Sequence, residues 1–390
     1  MATPAGSWIT TTEAAQRLGV KRSTLYAYVS RGLLRSERRP GQQESLFDRA
    51  QIDAMATSTR PPGGPPPVLR FRSIATTVSS QAEGELFYRG RSLVEVVALD
   101  SLELAAAVVL DTTPPASAGP LPAAVTLDLG RLPLPRRMPV AVQLLAAADP
   151  FAGDTDPERV RAAAVPTLRT ALLLLAGAIP GHPAYGDDLA ALALAALGGR
   201  PDEPGDVEVL RVLLVALLDH GLTASTVAAR VAASTRAGLP DCLCAAYAAM
   251  SGPLHGAAPV AAHALLTDGP DPATLVARAL RSGGSVAGFG HFLYPDGDPR
   301  ADVVLEALWR RPGTADLRQR VESLSALVSQ RTGTLPNVDL ASAAVLHALG
   351  LPAESGEAVF QIARSVGVAA HVVEEYAEEP LRWRGRDPQG

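Results

Sequence analysis

Gly288-Phe-Gly-His291, followed by Phe292 to Gly297 and then Asp298-Pro-Arg300, sets a histidine in a glycine-bounded turn and an arginine where helical periodicity resumes. Two companion segments flank it in the chain: Ser251-Gly-Pro-Leu-His255-Gly256 upstream and Pro336-Asn-Val-Asp339 downstream. Each is a run of turn residues between stretches of helical period, so the polar side chains sit on turns and helix starts of a helical body. Two histidines, an arginine and a carboxylate in that setting read as a proton-transfer site with an anion clamp.

Helical patterning extends outward on both sides. Apolar residues make up 47% of the chain and aromatics only 4%, and the apolar share is largely Ala and Leu at helical spacing rather than alternating β-branched residues. The pattern predicts helices over Leu102 to Leu110, Pro139 to Ala148, Pro157 to Ala178, Asp187 to Leu197, Asp206 to His220 and Ala224 to Ala237. More begin after Pro240, Pro259, Pro272, Arg300, Ala315, Asp339 and Ser355. Many of these starts carry Pro or an Asp, Ser or Thr cap, which helix N-termini accept. The expected fold class is all-α. The apolar run Ala171 to Ile179 stops at Pro180, short of the roughly 20 residues a membrane span needs. No membrane partner is expected, and with no secretory pattern at Met1 to Ser7 the default location is cytoplasmic. Cys242 and Cys244 diverge on a helical pattern and lack the ligand count zinc requires, so buried free thiols and no metal are expected.

Charge is uneven along the chain. Residues 1–60 hold nine basic and five acidic side chains, a net of +4, so with -5 overall the remainder carries -5 minus +4, or -9. Thr10-Thr-Thr-Glu13 caps a short helix bearing Ala14, Ala15 and Leu18, Gly19 stops it, and a second runs through Leu25, Tyr28 and Val29 to Gly32. Arg35 to Arg39, Pro40-Gly41 and Ser45-Leu46-Phe47 read as a basic wing, and a third helix runs from Asp48 to Met55. Residues 1–57 resemble the winged helix-turn-helix of the MerR and excisionase-like DNA-binding families. That resemblance implies DNA as a partner, met by Arg22, Ser23, Thr24, Tyr26 and Tyr28, with Arg38 and Arg39 on phosphates. A small helical adaptor with a solvated basic face is the alternative. Residues 58–68, rich in Pro and Gly from Pro61 to Pro67, read as a semi-rigid linker.

Beyond the linker, Leu86-Phe-Tyr-Arg-Gly90, Asp219-His220 with Ala224-Ser-Thr226, Gly252-Pro-Leu-His-Gly256, Gly288-Phe-Gly-His291, Asp298-Pro-Arg-Ala301, Pro336-Asn-Val-Asp339 and Ala363-Arg364-Ser-Val-Gly367 follow one another. In this collinear order the chain resembles the citrate synthase family. The resemblance implies a large helical domain over 69–255 and 337–390, a small domain over 256–336 that closes on the substrates, and a homodimer. It implies an acyltransferase that condenses acetyl-CoA with oxaloacetate to citrate and CoA, or propionyl-CoA to 2-methylcitrate, with acetyl-CoA a co-substrate and no bound cofactor. Asp339 then matches the base that deprotonates the acyl methyl group, although alone an aspartate after Pro-Asn-Val also reads as a helix N-cap. His255 matches the donor to the enolate oxygen and His291 the donor to the electrophilic carbonyl. Arg300 and Arg364 match carboxylate-binding arginines and His220 a further substrate contact, while Arg382 matches the arginine the family donates to the partner subunit's site.

Two stretches depart from the pattern, one of them Gly256-Ala257-Ala258-Pro259, where members usually have glycine and asparagine after the histidine. Phe292-Leu-Tyr-Pro-Asp-Gly297 stands where members commonly place basic residues toward coenzyme A phosphates, and the chain's single lysine, Lys21, lies outside the body. A second function class therefore stays open: a helix-turn-helix transcriptional regulator whose synthase-like body senses oxaloacetate, citrate or acyl-CoA without catalysis. His182, His263, His347 and His371 are expected to be helix-surface or partly buried structural residues.

Overall fold

The computed structural model of the protein describes residues 8–18, 20, 25, 28–29, 34, 36–37, 45–49, 51–53, 74–114, 129–177, 188–267, 271–281 and 285–383. The chain forms two compact units, Met1–Ala75 and Thr76–Gly390.

In the first unit, β1 (Trp8–Thr10) runs into α1 (Thr11–Leu18). Thr10 N–H donates to Glu13 Oε2 at 3.1 Å and Glu13 N–H to Thr10 Oγ1 at 3.2 Å, a reciprocal cap. Two further strands, β2 (Ser36–Glu37) and β3 (Leu46–Asp48), form an antiparallel sheet in the order β1-β3-β2. The β2–β3 pair is the expected wing, whereas β1 is too short for its alternation to signal a strand. Ile9, Ala14, Leu25, Phe47 and Ile52 fill a small core, and Tyr28 packs half-buried against it. Arg22, Ser23, Thr24, Tyr26, Arg38 and Arg39 lie outside the described residues.

The second unit opens with an antiparallel sheet of β4 (Ser79–Ala82), β5 (Glu85–Tyr88) and β6 (Arg91–Ser92). Helices follow: α2 (Leu93–Val97), α3 (Leu102–Leu110), α4 (Leu134–Ala148), α5 (Pro157–Gly177), α6 (Leu189–Ala196), α7 (Pro204–Leu217), α8 (Ala224–Ser234), α9 (Leu239–Met250), α10 (Ala258–Thr267), α11 (Pro272–Arg281), α12 (Pro299–Arg310), α13 (Ala315–Thr332), α14 (Val338–Ala348) and α15 (Ser355–Tyr376). The all-α expectation holds for this body.

Helix α15 is its axis. Every residue of it except Glu374 is buried, which its run of Ala, Val, Gly and Ile allows on all faces. It packs against α3, α4, α5, α7, α8 and α9. Helix α4 begins at Leu134, earlier than the expected Pro139, which sits inside it. An internal proline leaves the carbonyl four residues back without its donor. Here Gln361 Nε2, from α15, donates to Pro135 O at 3.0 Å and removes that cost. By length and composition α5 is long and apolar enough to cross a membrane. However, Val160, Leu168, Leu172 and Leu175 are buried in the core, and Arg169 pairs with Glu103 at 2.9 Å, so it serves as a core helix.

Candidate active site

Two of the three turn segments, those carrying His291 and Asp339, are physically tied together. Gly290 N–H donates to Leu335 O at 2.8 Å, Asn337 N–H to Gly288 O at 2.9 Å, and Asn337 Nδ2 to Gly290 O at 2.9 Å. Gly288 has φ +82°, and a Cβ there would lie 2.8 Å from Leu340 Cβ, so only glycine fits this crossing. Asp298 then binds the helix start to both. Its carboxylate caps α12 through Arg300 N–H at 3.1 Å and grips the Arg300 guanidinium at 2.9 and 2.8 Å. It also accepts from Val338 N–H at 3.0 Å. His291 and Asp339 are thereby held at the ends of one hydrogen-bonded frame.

Asp339 is not the cap of α14; Asn337 is, its side-chain oxygen accepting from Asp339 N–H at 3.0 Å. The Asp339 carboxylate, in the first turn and still partly accessible, is left available. Burial pushes it up to about 6, with Arg300 pulling it down and Asp298 up. That places a carboxylate base close to neutrality, where proton abstraction is most effective.

Around it the histidines are held neutral. Burial pushes His255 down to about 4, aided by Arg364, and its Nε2 lies 2.7 Å from Ser225 Oγ. Burial and then Arg300 lower His291. Burial, Arg300 and Arg364 lower His220 much further, and its ring meets that of His291 edge-on at 5.2 Å. Neutral imidazoles donate from one nitrogen and accept at the other, as donors to a developing oxyanion must.

The two buried arginines differ. Arg300 is paired with Asp298: burial acts to lower the guanidinium, but the charge and hydrogen bonds of Asp298, with Tyr294 and Tyr88, together raise it. Arg364, 1% exposed, donates only to neutral oxygens, Leu217 O at 3.0 Å and Thr223 Oγ1 at 3.3 Å. Burial lowers it, though Asp219 nearby acts the other way. Among the described residues Arg364 has no carboxylate within ion-pair distance, so a buried cation is left for an anion to meet.

Behind His220 lies a charge network. Asp219 accepts from Ser79 Oγ at 2.5 Å and from Gly221 N–H at 2.8 Å, and His371 Nε2 lies 3.2 Å from its other oxygen. His371 is wholly buried, contrary to the expectation of a surface or partly buried residue. Burial alone would lower it, but Asp219 and Glu374 raise it. Arg230 bonds Glu374 and Glu375 at 2.8 Å each. Arg382 grips Glu375 at 2.6 and 2.5 Å and Glu378 at 3.3 Å, sharing Glu375 with Arg230. Elsewhere in the body Arg310 pairs with Glu306 and Glu208 and Arg311 with Asp206.

The family model of the citrate synthase C-terminal domain matches residues 69–385. This chain belongs to the citrate synthase family. A helix-turn-helix model matches residues 8–60. Among curated relatives, a citrate synthase of Haloferax volcanii is 35% identical over 46% of this chain and 50% of its own length. Citrate synthase 2 of Bacillus subtilis is 31% identical over 62% of this chain and 68% of its own. A 2-methylcitrate synthase of Corynebacterium glutamicum is 33% identical over 46% and 48%. The chain spans about half the length of most curated relatives it matches. Its fold resembles the citrate synthase of Thermoplasma acidophilum solved with carboxymethyl coenzyme A and oxaloacetate, at a TM-score of 0.69 and 24% identity, covering 82% of this chain and 93% of that one.

Within this citrate synthase fold, His220, His255, His291, Arg300, Asp339 and Arg364 form one electrostatically coupled cluster. Sequence reading missed Tyr294, Asp298 and Asp219. Only the position of Asp298 ahead of Pro299, a capped helix start, signalled its role.

Proposed function

We propose that the protein condenses an acyl-CoA with oxaloacetate, forming citrate from acetyl-CoA or 2-methylcitrate from propionyl-CoA and releasing CoA. What carries this reading is Arg364, a buried guanidinium without a carboxylate partner among the described residues, beside neutral histidines and a carboxyl raised to about 6. Such a site needs an anionic ligand and offers a base.

In this reading Arg300 and Arg364 take the carboxylates of the 2-oxo acid, His220 adds a contact, and Arg382 completes the site across a homodimer. Asp339 removes a proton from the carbon next to the thioester carbonyl. His255 donates to the enolate oxygen, so that the carbanion forms without full charge on one atom. The carbon attacks the 2-oxo carbon, and His291 protonates the alkoxide. Water then cleaves the citryl thioester to citrate and free thiol. Residues 256–336 act as the small domain that closes over the substrates and excludes other water. Family membership and the likeness to 2-methylcitrate synthases support both acyl donors.

The helix-turn-helix match supports a second role, DNA contact through Arg22, Ser23, Thr24, Tyr26, Tyr28, Arg38 and Arg39. Mass spectrometry of the product from each acyl-CoA with oxaloacetate tests the first role; no condensation product with either donor overturns it. A gel shift across salt concentrations tests the second, which requires affinity to fall as salt rises.

A further inference from the structure

In the segment Phe292 to Gly297, where this chain departs from the family, Tyr294 is the one buried side chain, 3% exposed. Its ring centroid lies 5.0 Å from that of His291 and 5.5 Å from that of His220. The Arg300 guanidinium sits over its face at 5.5 Å, within cation–π range. Its hydroxyl lies 2.9 Å from His220 Nε2. One side chain therefore touches three of the residues assigned to the 2-oxo acid.

We propose that Tyr294 is a positioning residue that holds His220 as the Nδ1–H tautomer, with the tyrosine hydroxyl donating to Nε2. This rests on the reading of the cluster as an oxaloacetate site, but the tautomer itself does not.

The geometry leaves two arrangements of one hydrogen bond. In one, the phenol O–H donates to Nε2, and Nδ1–H is the ring's remaining donor. In the other, Nε2–H donates to the phenol oxygen, and Nδ1 is a bare acceptor. A phenol is a strong donor and a weak acceptor, whereas an unprotonated imidazole nitrogen is a strong acceptor, so the first arrangement wins. Burial keeps the hydroxyl protonated, up to about 12, and His220 neutral, so neither partner ionises to disturb the choice. Among the described residues Nδ1 has no protein hydrogen-bond partner, and the charges of Arg300 and Arg364 act on the ring. A donor there suits a carboxylate or carbonyl oxygen; a bare nitrogen repels one. Ring contact with His291 and Arg300 makes the same tyrosine a spacer between the carbonyl donor and one carboxylate clamp.

Long-range proton–nitrogen NMR of 15N-histidine-labelled full-length protein decides the proposal, with the His220 signals assigned by a His220→Asn variant. Expected is a protonated Nδ1 and a bare Nε2 in the unmodified protein. In Tyr294→Phe, which keeps the ring and drops the hydroxyl, the population moves toward Nε2–H. The KM for oxaloacetate rises about three- to tenfold, the value of one neutral hydrogen bond, with kcat changed less. An Nε2–H tautomer in the unmodified protein, or one unmoved by Tyr294→Phe, overturns the proposal. A shifted tautomer in a protein with no condensing activity leaves Tyr294's role standing and overturns the functional reading instead.

Discussion

Replacing Asp339 by asparagine should stabilise this protein while abolishing its chemistry. The carboxyl is raised from 3.8 to about 6 because burial disfavours its charge. At about 1.4 kcal/mol per pH unit, ionising it inside the fold costs about 3 kcal/mol more than in the unfolded chain. Below 3.8 both states hold the proton and there is no penalty. Between 3.8 and about 6 the unfolded chain releases its proton first, so stability falls as pH rises, and above 6 the penalty is constant. Asparagine, close in shape and never charged, escapes it. The expected gain is about 3 kcal/mol at pH 8 and about 1.5 kcal/mol at pH 5. Guanidinium unfolding of the full chain, followed on the transition of the Thr76–Gly390 unit, measures both values. A variant less stable than the original at pH 8, or a gain that does not shrink at pH 5, would show that Asp339 is not a carboxyl whose ionisation the fold disfavours.

Two further outcomes follow from the same geometry. With Asp339 as the base, kcat/KM should fall about tenfold per pH unit below about 6, and His255 at about 4 should leave no limb of its own above that pH; a flat profile from pH 5 to 8 removes Asp339 from the role. Gly367→Ala should destabilise the body by about 1–3 kcal/mol or more and depress activity. Its Cβ would lie 2.3 Å from Leu218 O and 2.6 Å from Asp219 Oδ1, pushing α15 off the turn that carries His220. Thermal melting and substrate turnover on one preparation measure both effects, and an unchanged melting temperature contradicts the packing.

The helical body was legible because α3 and α8 announce themselves by period and by caps, and because Asp298-Pro299 opens α12 with the residues a helix start prefers. The start of α4 was not, since the donor that lets Pro139 sit inside it comes from Gln361, more than two hundred residues away. The same division runs through the site. His255 and His291 stand on turns, and Asp339 at a helix start, whose glycines and prolines mark them in the sequence. Tyr294 and His371 gain their places from partners distant in the chain, His220 and Asp219. Burial of His371 depends on α15 being enclosed on all sides, which its composition permits but does not specify. Asp339 reads as a cap until Asn337 is seen to hold that position. The frame that joins the turns of His291 and Asp339 likewise rests partly on backbone bonds, which no side-chain pattern records.

The central claim is that Asp339 is the base of an oxaloacetate-dependent condensation. Release of free thiol from acetyl-CoA or propionyl-CoA, measured with and without oxaloacetate on the purified protein and on Asp339→Ala, tests it most directly. The account predicts thiol release that requires oxaloacetate and falls at least a hundredfold in the variant, the scale of losing a general base. Equal release by the two proteins, or none from either while oxaloacetate still binds, would contradict it.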